Sequence, residues 1–460
     1  MQKSIKIAYI GGGSKQWARV FMSDLASTED LSGQIALYDI DQEAAYRNML
    51  IGQRINADPA TRSRFEYTVA DTLEQALEGA DFVIISILPG TFKEMRSDVH
   101  TPEAYGIYQS VGDTVGPGGV LRAMRTVPIY EEFARKIKDI CPDAWVLNLT
   151  NPMSILVKTL YDVFPGIKAF GCCHEVFHAQ DFLACVLREI KGIDVTRRDI
   201  YTDASGINHF TWITEAKYQN IDLLALIPEF MDRFYEDGYY EQPGRRFAFR
   251  EDPFAYGNKV KLDLFRRYGA LAAAGDRHLA EFVPAGWYLK DPQTVSDWQF
   301  GLTTVDFREA QQSERIAETI AMAEGRIPFP VKKSTEEAAE LMKALMGFGT
   351  VVSNVNLPNR GQMPQLPLGS IVETNCVFSN DQLCPVTAKP LPSGAATLVA
   401  WNCANIDTCY EGIRQRDLGK IFQSFINQPL CAGLSIADAR TLFNQMCHNT
   451  RAYLEPYYTL

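Results

Sequence analysis

The chain has 460 residues, 46 % of them hydrophobic and 22 % charged, with a formal net charge of −11; these are the proportions of a soluble globular protein with room for two large domains or about three smaller ones. The acidic balance excludes nucleic acid and anionic membranes as expected partners, because both reward basic patches, although a local arginine or lysine is enough for a small anionic substrate. No apolar stretch approaches the roughly 20 residues that span a bilayer, Met1-Gln2-Lys3-Ser4 runs straight into a strand rather than a signal peptide, and ten cysteines without repeated spacing read as reduced thiols of a cytoplasmic protein.

Short apolar strands are expected near 4–10, 34–39, 65–69, 81–87, 144–148 and 167–171, separated by stretches at 16–27, 41–56, 123–139 and 152–163 whose apolar residues recur at helical spacing. That alternation predicts a parallel sheet wrapped by helices. The run Asp81-Phe82-Val83-Ile84-Ile85-Ser86-Ile87 is continuous, as a strand covered on both faces should be. Past residue 200 the alternation stops. Helical stretches follow at 308–324 and 334–347, and 348–405 carries β-branched runs and prolines, as in Thr350-Val351-Val352-Ser353-Asn354-Val355. We read 175–200 as a transition, residues 1–200 as a nucleotide-binding domain, and residues 201–460 as a mixed α+β domain for substrate and assembly.

The first strand ends in Gly11-Gly12-Gly13-Ser14, where backbone amides and a helix N-terminus can meet a pyrophosphate. Gln16 stands in place of the third fingerprint glycine, so the turn alone is weak. The second strand ends in Asp39, where a carboxylate can bond ribose hydroxyls and repel a 2′-phosphate, favouring NAD over NADP; the lesser alternative is that Asp39 or Asp41 merely caps the next helix. Strands 81–87 and 144–148 run into Leu88-Pro89-Gly90 and Asn148-Leu149-Thr150-Asn151-Pro152, at the strand ends where ligands of open parallel sheets collect. Asn151 either caps the following helix or holds a substrate hydroxyl.

Of the six histidines, His174 and His209 lie in the strings Gly171-Cys172-Cys173-His174-Glu175 and Gly206-Ile207-Asn208-His209-Phe210. Cys173 and His209 have none of the close pairs of a structural zinc site. Two protein ligands would leave coordination positions for substrate oxygens and water. Alone, the pair reads as readily as a packed thiol and a hydrogen-bonded imidazole. Residues 112–125 form a glycine-rich stretch leading into a helix, with Asp113 as an acid or acceptor and Arg122 and Arg125 able to pair with a carboxylate. Gly275-Asp276-Arg277-His278-Leu279-Ala280-Glu281 packs ionisable groups behind an alanine run, as a site loop does.

Together these strings resemble glycoside hydrolase family four, the NAD- and metal-dependent glycosidases that stand apart from two-carboxylate enzymes. The resemblance rests on Gly11 to Ser14, Tyr38-Asp39, Gly112 to Gly119, Asn151-Pro152, Cys173-His174-Glu175, Asn208-His209 and Val355-Asn356-Leu357-Pro358-Asn359. Cys173-His174-Glu175 and Gly275 to Phe282 are most like the α-galacturonidase branch. The resemblance implies a Rossmann-type doubly wound sheet, like that of lactate and malate dehydrogenases, with a C-terminal mixed α+β domain. It implies release of galacturonate from α-linked galacturonides: NAD⁺ takes hydride from sugar C3, a base removes the C2 proton, the C1 group is eliminated, water adds, and the hydride returns.

By the same resemblance Cys173, selected over Cys172 by motif register, and His209 hold a divalent metal, Mn²⁺ before Ni²⁺, Co²⁺ or Fe²⁺. Asn151 and Asn208 hold sugar hydroxyls, His174 or Asp113 is the acid, Asp276 is the base, and Arg277, Arg122 or Lys15 meets the galacturonate carboxylate. A homodimer or homotetramer is expected. Other readings are a family-four enzyme for an α-glucoside or α-galactoside, a hydroxy-acid dehydrogenase, and a non-catalytic NAD sensor.

Overall fold

Six parallel strands form one half of the sheet: β1 (Lys3–Ile10), β2 (Leu31–Tyr38), β3 (Phe65–Val69), β4 (Phe82–Ile85), β5 (Trp145–Asn148) and β6 (Lys168–Gly171). In the computed structural model, which describes residues 2–242 and 244–460, they lie in the order β3-β2-β1-β4-β5-β6, the doubly wound order of dinucleotide-binding sheets. The helices between them are α1 (Trp17–Ala26), α2 (Gln42–Ala57), α3 (Leu73–Leu77), α4 (Phe92–His100), α5 (Gly116–Ile140) and α6 (Met153–Val163). Side-chain alternation along β1 feeds two cores. Ile5, Ile7 and Tyr9 pack with Phe21, Met22 and Leu25 of α1, while Ala8 and Ile10 pack with Leu121, Met124 and Val127 of α5. A strand apolar on both faces has to be covered on both, which the crossover helices do.

The sheet does not end at β6. The strands β7 (Tyr201–Ile207), β8 (Phe210–Tyr218), β9 (Ile221–Asp222), β10 (Leu271–Ala272), β11 (Val351–Pro358), β12 (Ile371–Ser379) and β13 (Gln382–Pro385) extend it to 13 strands, in the order β6-β11-β12-β7-β8-β10, with β9 beside β8 and β13 beside β12. Every pairing in this half is antiparallel. The junction is narrow: Asn356 of β11 faces Gly171 of β6. A Cβ on Gly171 would stand 3.1 Å from the Asn356 Cβ across the junction and 2.7 Å from the Met153 sulfur, so glycine eases the close approach of β11.

Three local expectations need correcting. The 175–200 transition is mostly a helix, α7 (Glu175–Lys191), whose buried Val176, Ala179, Phe182, Leu183 and Val186 recur at helical spacing. The glycine-rich stretch at 112–119 turns helical at Gly116. A Cβ on Gly118 or Gly119 would stand 2.6 Å from the Gly112 carbonyl oxygen or the Thr114 carbonyl carbon, so these glycines serve close approach rather than loop freedom. After β13 the chain forms a 23-residue helix, Ser393–Gln415, which the β-branched and proline-rich reading of 348–405 did not anticipate. Among the described residues no helix is long and apolar enough to cross a membrane.

Candidate active site

At the cofactor end, Gly11 adopts φ +93°, and a Cβ there would stand 1.9 Å from the Ser86 carbonyl oxygen; no L side chain fits this turn. The Gly13 amide donates to Asp39 Oδ2 at 2.8 Å, and the Asp41 amide donates to Asp39 Oδ1 at 2.9 Å. Asp41, not Asp39, caps α2, by accepting from the Ala44 amide at 3.0 Å. Asp39 is therefore held across the glycine turn. Ser14 Oγ accepts the Trp17 amide at 3.0 Å and opens α1. Lys15 Nζ lies 3.4 Å from Asp41 Oδ2, at this end of the sheet. A glycine turn feeding a helix, with a fixed carboxylate at the next strand end, is a donor set that fits a dinucleotide.

The hairpin of β7 and β8 turns on two residues, Asn208 and His209, between the paired Ile207 and Phe210. His209 takes φ +62°, in the left-handed region, which histidine adopts at modest cost. The turn aims its imidazole at the sheet's carboxyl end. His209 Nδ1 is 3.0 Å from Thr114 Oγ1, and Thr114 in turn donates to Asp113 Oδ1 at 2.7 Å. The donor atoms of Asp113, His209 and His278 lie within 4.8 Å of one another, and those of His174, Glu175 and His178 form a second such group. Glu175 joins the groups: its carboxylate is 3.7 Å from His278 Nε2 and 3.8 Å from His174 Nε2, and it accepts the Gly275 amide at 2.7 Å. Burial works against its charge, but the surrounding imidazoles hold it well below the usual carboxylate range. Asp113 is held low in the same way: Arg122, His278, His209 and Arg308 outweigh burial.

Cys173 is buried just before α7. Burial first, then Glu373 and Glu175, push its thiol well above the ordinary range, against a smaller opposing effect of the neighbouring Asn208 side chain. Its carbonyl accepts from Asn354 Nδ2 at 3.3 Å. Cys173 thus lies beside the His209 turn through Asn208. Asn151 precedes a cis peptide bond to Pro152 and does not cap α6, which has no side-chain cap. Its Oδ1 is buried without a hydrogen-bond partner, and so are Oδ1 and Nδ2 of Asn208 and Nδ1 of His278. Buried polar atoms are nearly always paired in native proteins. Unpaired ones gathered around a carboxylate–imidazole group mark where a polar ligand fits, and the donor set of two imidazoles, a carboxylate and a nearby thiol suits a divalent first-row metal.

Asp276 is fully buried at the N-terminus of the helix Lys259–Tyr268, with Oδ1 accepting the Lys261 amide at 3.0 Å. Burial pushes its carboxyl up to about 6 despite Lys261 and the helix amides. Oδ2 has no partner, the only carboxylate oxygen in that condition among the buried atoms of the described residues. Of the expected carboxylate-binding groups, Arg277 donates to Thr303 Oγ1 at 3.0 Å and Arg122 to the Asn151 carbonyl at 3.2 Å. Both interact with Asp113 or its neighbours, whereas Lys15 belongs to the cofactor end. Arg125 is not at the surface: it is buried in an ion pair with Asp98.

Sequence reading missed several members. His278 and Glu281 lay inside a string singled out for its density but received no role. Glu175 was visible only as the third letter of a motif, and Thr114 as a neighbour of Asp113. Arg308 and Glu373 carried no local signal, since one opens a helix and the other is a lone acid between Val372 and Thr374 in a buried strand.

The family 4 glycosyl hydrolase model matches residues 6–189, and the family 4 C-terminal domain model matches residues 204–431. The chain belongs to glycoside hydrolase family 4. The resemblance read from the ordered motifs is thereby borne out, and the protein is a family 4 glycosidase by descent. One relative, the alpha-galacturonidase of Thermoanaerobacter italicus, is 51 % identical over 453 residues, 98 % of each chain. The crystal structure of the Bacillus subtilis protein lplD, described as a glucosidase, matches with a TM-score of 0.90 at 48 % identity, over 96 % of this chain and 99 % of that one. A 6-phospho-alpha-glucosidase from gut microorganisms, solved with NAD and Mn²⁺, shares the family 4 fold at a TM-score of 0.79 and 19 % identity, over 98 % of this chain and 99 % of that one.

Proposed function

We propose that the protein is an α-galacturonidase, hydrolysing α-linked galacturonides with NAD⁺ and a divalent metal, Mn²⁺ first. The observation that carries the reading is the set of unpaired buried atoms of Asn151, Asn208, Asp276 and His278 around the Asp113, His209 and His278 group; relatives over nearly the full chain length that bear the alpha-galacturonidase name support the substrate. Gly11, Gly12, Gly13, Ser14 and Asp39 would hold the dinucleotide. Cys173 and His209 would hold the metal, with Asp113 and His278 near enough to His209 to join them. When bound, the nicotinamide supplies a reversible hydride acceptor and the metal supplies Lewis acidity at the sugar oxygens.

The remaining chemistry belongs to side chains. Asn151 and Asn208 orient the sugar through hydroxyls that satisfy their orphaned atoms. Asp276 takes the C2 proton: its carboxyl near 6 suits a base at neutral pH, and the helix amides behind Oδ1 fix it while Oδ2 is free. His174 gives a proton to the leaving group. Its side chain is 33 % exposed and lies between Glu175 and Glu336, 3.8 and 3.5 Å away, so it can reach a departing oxygen. Asp113, held as an anion, does not carry that proton. Residues 1–200 then hold the cofactor and lend Asn151, Cys173 and His174 to the sugar site, while 201–460 supply the rest of that site and assembly into a dimer or tetramer. Ten cysteines, all free, agree with a reducing cytoplasm.

The test is a screen of aryl α-glycosides (galacturonide, glucoside, galactoside and 6-phosphoglucoside) with NAD⁺ and Mn²⁺ under reducing conditions. The reading expects the galacturonide to be the substrate with the highest kcat/KM. Turnover of the 6-phosphate substrate and none of the galacturonide would overturn it.

A further inference from the structure

The wall of the site around Asp113 carries more positive charge than its own carboxylates balance. Three segments interlock there. The Ser110 hydroxyl donates to the Arg277 carbonyl, the Thr303 amide donates to the Ser110 carbonyl at 2.9 Å, and Arg277 Nη1 donates to Thr303 Oγ1 at 3.0 Å. Arg308, on the first turn of the helix Val305–Glu324, reaches back to donate through Nη2 to the Val111 carbonyl at 3.4 Å. Its Nε is buried and has no partner. Arg277 and Arg308 are thus fixed on the wall that carries Asp113, and Arg122 approaches from α5, tied to the Asn151 carbonyl.

Against these three guanidinium groups stand two acids. Asp113 is ionised. Glu281 accepts both the Val111 and Gly112 amides, at 2.7 and 2.9 Å, and burial pushes its carboxyl up to about 7, so it offsets less of that charge than Asp113 does. Burial is what chiefly lowers Arg308 to about 10; Asp113 opposes it, Arg277 and Arg122 add to it, and Glu281 opposes it more weakly. Burying uncompensated charge is costly unless a partner arrives. One further anion beside Asp113 would balance the wall.

We propose that Arg308 is a specificity-determining residue that binds the carboxylate of a uronide substrate, with Arg277 beside it. This rests on the galacturonidase reading. A carboxylate accepts a planar pair of N–H donors from guanidinium, whereas the neutral hydroxymethyl of a galactoside leaves the half-buried cation without an anionic partner and its buried Nε unsatisfied, which is how a polar site rejects an analogue. Lys15 has no part in it, and Arg122 supports the sugar-binding Asn151 loop.

The test uses the full chain loaded with NAD⁺ and Mn²⁺, with aryl α-galacturonide and α-galactoside as paired substrates and Arg308→Met and Arg308→Lys as variants. Arg308→Met should lower the galacturonide-to-galactoside ratio of kcat/KM on the order of 10- to 100-fold, chiefly through the galacturonide KM. Arg308→Lys should recover part of the loss. Calorimetric titration with free galacturonate and galactose should weaken for galacturonate alone. A wild-type enzyme that hydrolyses galacturonide while Arg308→Met keeps its selectivity within twofold overturns this assignment and leaves the functional reading standing. A wild-type protein that binds galacturonate through Arg308 yet hydrolyses no galacturonide does the reverse.

Discussion

The rings of His209 and His278 stand 4.1 Å apart, centroid to centroid, at a tilt of 42°. One comes from a hairpin tip and the other from the short helix Asp276–Leu279 after β10, and Asp113 closes the triangle. If this group takes part in holding the metal, His278→Ala and His209→Ala should each weaken Mn²⁺ binding, by on the order of 10- to 100-fold for a supporting ligand and by more for a direct one. Titration of Mn²⁺ followed by electron paramagnetic resonance measures it. Wild-type affinity in His278→Ala would remove that residue from the ligand set.

Asp276 and Tyr256 lie on either side of Gly275, where a Cβ would stand 3.0 Å from the Tyr256 ring. Burial and the nearby Glu241, Glu175 and Asp276 keep the Tyr256 hydroxyl protonated, so the account gives the C2 proton to Asp276. Asp276→Asn should slow solvent deuterium exchange at C2 by roughly 10²- to 10⁴-fold, while Tyr256→Phe should change it less than about tenfold. The opposite ranking, read by proton NMR of the recovered sugar, would make Tyr256 the base.

Asp39 accepts two backbone amides and keeps lone pairs free for a ribose. Asp39→Asn should weaken NAD⁺ binding about 10- to 100-fold, the range of charge-assisted hydrogen bonds, and narrow the preference over NADP⁺. Fluorescence titration with both nucleotides checks this; an unchanged preference would assign Asp39 to holding the glycine turn alone.

Glu373 is buried on β12 and accepts hydrogen bonds from Asn354 and Asn356, at 2.9 and 3.2 Å, and from Thr211. Burial pushes it from 4.5 up to about 7, so the folded protein holds this proton more tightly than the unfolded chain does. The stability tied to it is complete below about pH 4.5 and is lost as pH rises through 7, roughly 3 kcal/mol in all. Glu373→Gln should flatten that part of the profile, most visibly as a gain over wild type in urea midpoints at pH 8. Parallel profiles for the two proteins would contradict it.

The parallel half of the fold was legible because its strands are continuous apolar runs and its glycines fall at strand ends. Cys173 and His209 were legible as motif members, and Asp39 as a strand-end acid. The antiparallel extension was not, because β11 and β12 reach β6 and β7 only through long-range pairs such as Asn356 with Gly171 and Glu373 with Gly206, and no local period encodes such a partner. Arg308 was invisible for the same reason. Its importance comes from sharing a wall with Asp113 and Arg277, which lie far from it in the chain, while its own helix reads as ordinary amphipathic surface.

The central claim is hydrolysis through a transient redox step on the sugar. The most direct measurement is release of galacturonate from an aryl α-galacturonide in deuterated buffer, by protein stripped with EDTA and freed of NAD⁺, then restored with each alone and with both. The account predicts turnover only with both present, deuterium at C2 of the product, and no net accumulation of NADH at 340 nm. Hydrolysis by the stripped protein, or product without deuterium at C2, would contradict it.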